Sequence, residues 1–147
     1  MTAFAITYDY LCPFARNANE TVVEALQAGA AYDVTFRPFS LTQNHATEQD
    51  IPVWERDLTD PGSGVLAHQF GLAIRDEFPT SFLRFHPAMF AARHDAGRDI
   101  NDVTVVRDVV ASIGLDPDEV GAVVASGRPA KTLEVEHTAL VEDHAVF

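Results

Sequence analysis

The opening of the chain constrains its fold most: an apolar run, a lone cysteine followed by proline, a helical stretch and a second strand-like run, all complete by Pro38. Residues 3–8 (AFAITY) are apolar and rich in strand formers, which reads as a buried strand. Asp9-Tyr10-Leu11 forms a loop. Cys12-Pro13 then opens a helix, because proline suits the first helical position, where its missing N–H would have no partner. Phe14, Ala18, Val22, Ala25 and Leu26 recur at helical spacing up to Gly29, a plausible stop. Residues 32–37 (YDVTFR) alternate as a strand, and Pro38 ends it. A strand, helix and strand this close together fold as a parallel pair with a right-handed crossover.

The remaining chain is expected to be helical. Residues 41–62 are polar and broken by Pro52, Pro61 and Gly62, which suggests a long loop with a turn of helix near Trp54. Residues 65–77 are weakly amphipathic. Residues 79–96 carry Phe82, Phe85, Met89 and Phe90 on one face, and residues 103–113 carry a valine stripe. Asp116-Pro117-Asp118-Glu119 resembles a capping box ahead of a short helix, and a last helix runs from about residue 129 to 145. Two parallel strands make a poor sheet alone. The first strand would have an unprotected edge, so a second copy of the chain, as a dimer or larger homo-oligomer, is expected to cover it.

Charge excludes several functions. With 22 acidic against 10 basic residues and a net charge of −12, the surface repels nucleic acid and anionic membranes. No apolar run approaches the roughly 20 residues of a membrane span. The single cysteine allows no internal disulfide, and no basic leader precedes the first strand, so a reducing, cytoplasmic setting is expected. The six histidines have no metal-ligand spacing, so no metal site is expected. His137 and His144 share what reads as a surface helical face, and His86 reads as a packed or capping histidine.

Cys12 carries the chemistry. Unpaired N–H groups at a helix start favour negative charge, and the thiolate is the nucleophilic form of cysteine. An inert buried cysteine is the competing reading, since free cysteine is often buried. Tyr10 flanks the loop with a hydroxyl suited to a substrate, and Arg16 in the first turn suits a carboxylate-bearing thiol.

Asp9-Tyr10-Leu11-Cys12-Pro13-Phe14 resembles the active-site segment of DsbA-like thioredoxin-fold proteins, in the branch with FrnE-type and 2-hydroxychromene-2-carboxylate isomerase-like members. Phe36-Arg37-Pro38-Phe39, Phe85-His86-Pro87-Ala88-Met89-Phe90, Gly114-Leu115-Asp116 and residues 138–147 resemble later segments in the same order. The resemblance implies an α/β fold with a thioredoxin-like βαβ unit. Residues 1–44 and 129–147 would form that unit, and residues 45–128 a helical insertion. The family's C-terminal two strands and helix, with its cis-proline loop, have no counterpart in the sequence.

The family motif is often Cys-x-x-Cys, but here it is Cys12-Pro13-Phe14-Ala15, and alanine cannot resolve a mixed disulfide. The resemblance therefore implies monothiol exchange at Cys12, with Tyr10, Pro13, Phe14 and Arg16 around the substrate. No tightly bound cofactor is expected. The partner would be a small thiol or disulfide such as glutathione or mycothiol. A small-thiol-dependent isomerase or transferase, and a non-catalytic binding or remnant domain, remain open alternatives.

Overall fold

The computed structural model describes residues 1–146. It contains β1 (Thr2–Tyr8), α1 (Pro13–Gln27), β2 (Tyr32–Pro38), α2 (Leu41–Asn44), a 3-10 turn at Val53–Glu55 and α3 (Val65–Glu77). A second 3-10 turn at Pro79–Ser81 leads into α4 (Phe82–His94), followed by α5 (Val103–Ser112), α6 (Pro117–Ala125) and α7 (Arg128–His144). β1 and β2 are parallel, with Thr2 opposite Tyr32 and Tyr8 opposite Pro38, as the opening of the sequence requires. The architecture is thus the expected α/β type, a thioredoxin-like βαβ unit with helices around it. Among the described residues no strand follows α7.

The two edges of the sheet differ. Arg75 on α3 donates to the Phe36 carbonyl at 2.8 Å and forms a two-point ion pair with Glu136 on α7. Pro38 on the same strand has no N–H to offer. β1 carries no charged residue along its length.

α3 is the central helix, and every residue from Val65 to Ile74 is buried. That explains its weak amphipathic signal: a helix covered on all sides has no polar face to reveal its period. One apolar cluster runs from Tyr8, Tyr10, Val23 and Phe36 through α3, α4 and α5 to Val124. Each large side chain buried there contributes roughly 1.5–3 kcal/mol. A smaller cluster joins Val53, Val65, Leu72 and Leu133.

The packing decides which side of α1 faces the core, and it corrects two expectations. The core face of α1 is formed by Ala15, Val22, Val23 and Leu26, while Phe14 points outward with 82% of its surface exposed. His137 is not on a surface face: it is buried, stacks on Phe39 and accepts the Ser40 N–H at 3.0 Å. Residues 41–62 are not all loop, because buried Ser40 caps the short α2 by accepting from Gln43 N–H.

α4 carries Pro87 inside it. Proline has no N–H for the carbonyl four residues earlier, here that of Leu83. Gln27, the last residue of α1, donates its side-chain amide to this freed oxygen at 3.4 Å.

Candidate functional site

The chain turns from β1 into α1 at Asp9-Tyr10-Leu11-Cys12. Cys12 is the N-cap of α1 with extended backbone, and Pro13 occupies the first helical position. The Cys12 Sγ accepts from the Ala15 N–H at 3.4 Å. One of the N–H groups left unpaired at the helix start is thus directed at the sulfur. Cys12 is half-buried, whereas Pro13 and Phe14 beside it are exposed.

The turn is held from every side. The Asp9 carbonyl accepts the Cys12 N–H at 3.0 Å. The Asp9 carboxylate accepts the Leu11 N–H at 2.9 Å and the Leu41 N–H at 2.8 Å, so it ties the turn to the chain leaving β2. His94 on α4 donates from Nε2 to the Tyr10 carbonyl at 2.9 Å. Leu11 packs so closely on Gly64 that a Cβ there would lie 2.9 Å from its side chain.

Tyr10 does not reach the rim. Its side chain is 1% exposed, and its hydroxyl is 2.8 Å from His86 Nδ1. His86 Nε2 is 2.9 Å from Asn19 Oδ1, and the Asn19 amide donates to the Thr7 and Ala15 carbonyls. With the ring neutral, one assignment satisfies this chain: the tyrosine O–H donates to Nδ1, and Nε2–H donates to the asparagine oxygen. Burial keeps the imidazole neutral by driving His86 down to about 3, assisted by the neighbouring His68. Tyr10 thus supports the turn from below, joining β1, α1 and α4.

Arg16 is also engaged. Its guanidinium bonds Glu20 on the next turn and makes two bonds to Asp95 at the end of α4. It therefore ties α1 to α4 through three of its five N–H groups. Of the five residues read from the sequence, Cys12, Pro13 and Phe14 meet at the surface; Tyr10 and Arg16 brace them.

Sequence reasoning passed over Asp9. Its carboxylate is 3% exposed, and it is the one acidic side chain that is fully buried among the described residues. Burial pushes its acidity constant up. The adjacent His68 ring and the N–H groups of Leu11 and Leu41 outweigh that, and the net result lies below the ordinary aspartate value. A signal was present: aspartate two residues before a backbone N–H at a strand exit is an Asx-turn pattern. His68 on α3 is 1% exposed, with Nε2 3.4 Å from Asp9 Oδ1. That approach is close in charge but not aligned as a hydrogen bond, and neither ring nitrogen has a partner among the described residues. Burial likewise raises the Tyr8 and Tyr10 hydroxyls above the usual tyrosine range.

A comparison with curated proteins found no match. A family model, the DSBA-like thioredoxin domain, matches residues 5–147, which takes in the second half of β1, the Cys12 turn and every helix described above. On that match the chain belongs to the DsbA-like thioredoxin domain family, whose fold is of the thiol–disulfide oxidoreductase type.

Proposed function

We propose that this chain is a monothiol exchanger in which Cys12 attacks the disulfide of a small-thiol substrate. The supporting observation is the sulfur at the α1 N-cap, 3.4 Å from the Ala15 N–H, with alanine where a resolving cysteine would sit. The Cys12 thiolate attacks one sulfur of an oxidised small thiol such as glutathione disulfide. A Cys12–glutathione disulfide forms, and the other glutathione leaves as thiolate. A second thiolate then attacks the glutathione sulfur, regenerates Cys12 and carries away the disulfide. Phe14 supplies the apolar lip for the incoming substrate. Arg16 and Tyr10 act by holding the turn.

The missing resolving thiol also suits a small-thiol-dependent isomerase or transferase of the isomerase-like branch, in which the bound thiol performs the chemistry. One experiment separates the readings. The protein is incubated with glutathione disulfide and weighed intact, then treated with reduced glutathione or mycothiol. Exchange requires one glutathionyl adduct on wild type, none on Cys12→Ser, and its loss on adding thiol. If no adduct forms where a free cysteine peptide is modified, the exchanger reading fails.

A further inference from the structure

We infer that the buried pair Asp9–His68 is a positioning device for Cys12: His68 keeps the Asp9 carboxylate ionised, and that carboxylate fixes the turn that presents the sulfur. The inference rests on Cys12 being the working thiol.

Three observations converge on it. The first is connectivity. Asp9 holds the turn through three bonds: its carbonyl to Cys12 N–H, and its two carboxylate oxygens to Leu11 N–H and Leu41 N–H. A protonated carboxyl would turn one acceptor into a donor, and one of these two N–H groups would lose its partner.

The second is cost. An ionised carboxylate 3% exposed is unfavourable unless charge and hydrogen bonds compensate it. His68 is the one ring that approaches it, with Nε2 at 3.4 Å.

The third is that no hydrogen bond explains His68 in the core. It is 1% exposed, and both ring nitrogens lack hydrogen-bond partners among the described residues. The buried carboxylate at 3.4 Å is the polar group its ring faces. Buried titratable pairs of this kind gather where chemistry needs them. The other charged and titratable groups around the pair are Tyr8 and Tyr10 from the β1 side, Arg75 on α3, His86 on α4 and His137 on α7.

The test uses His68→Phe in the full chain, with three readings: thermal unfolding, the carboxyl NMR titration of Asp9, and the rate at which iodoacetamide alkylates Cys12 against pH. The expected result is a folded variant with a lowered melting temperature, because a buried carboxylate loses its compensating partner, and an Asp9 titration moved upward. Alkylation near neutral pH should fall about fivefold, the effect of losing one net hydrogen bond in the turn.

Asp9→Asn should slow alkylation similarly, and adding His68→Phe to it should slow it no further. His68→Gln serves as the second variant if phenylalanine does not fit. Unchanged alkylation and an unmoved Asp9 in a folded variant would overturn the inference, as would loss of the fold in both variants, which would make the ring a packing element. Alkylation reads the thiol itself, so it stands apart from the glutathione-adduct test. An alkylatable Cys12 that forms no adduct would sink the exchanger reading and leave the positioning pair standing.

Discussion

His86 and His68 flank the same tyrosine, with ring centroids 5.3 and 5.9 Å from that of Tyr10, and both are fully buried. One uses both nitrogens, between Tyr10 and Asn19; the other uses neither. The same residue type in the same core thus does opposite things. His86 closes a network in which each donor has an acceptor, the condition under which buried polar groups add rigidity and not cost. His68 stays unpaired beside a buried carboxylate. The contrast separates what holds the turn from what sets its charge.

The largest effect that would sharpen this contrast comes from acid. His86 is held near 3 and His137 near 4, chiefly by burial, against an unfolded value near 6.5. A histidine with a depressed folded value contributes fully above pH 6.5. Between there and its folded value the unfolded chain binds the extra proton, so stability falls as pH falls. His86 alone accounts for a loss on the order of 4 kcal/mol across that window. Asp9, also depressed, adds in the same direction below about pH 4. Urea unfolding at pH 7, 5 and 4 should show a steep decline, and a flat profile would contradict the neutral network.

Removing the satisfied ring comes next. His86→Leu strands the Tyr10 hydroxyl and the Asn19 oxygen, at a cost of about 3 kcal/mol in urea unfolding. His68→Phe strands neither of these groups and shifts Asp9 instead, so an Asp9 titration moved equally by both variants would erase the comparison. Gly71→Ala, on α3, places a Cβ 2.7 Å from the Tyr10 hydroxyl. Helix propensity favours alanine by about 1 kcal/mol, but displacing a buried, bonded ring costs about 1–3 kcal/mol. A net loss of about 1 kcal/mol is expected, with slower Cys12 alkylation. The smallest effect is Arg16→Gln: its ion pair with Asp95 lies at the surface, and the melting temperature should scarcely move.

Much of the frame was legible in the sequence because it is local. The β1–α1–β2 order, proline at the first helical position and the cysteine at the cap all follow from neighbours within a few residues. The supports were not legible, because their partners are distant: Tyr10 meets His86 across 76 positions, and Asp9 meets Leu41 across 32. Nothing near Tyr10 shows that its ring points inward. Spacing alone also did not separate Phe14 from the core face: it shares helical spacing with Val22, yet it projects into solvent with 82% of its surface exposed.

Pro87 has a mechanical consequence. The acceptor it releases at Leu83 sits opposite the trailing end of the helix that begins with Cys12, and Gln27 engages it there. Arg16 clasps Asp95 at the leading end. The two attachments lie about three turns apart along α1, so the helix cannot slide along or rotate against α4 without breaking one of them. A displacement of the first turn of α1 is therefore shared with α4 through both contacts.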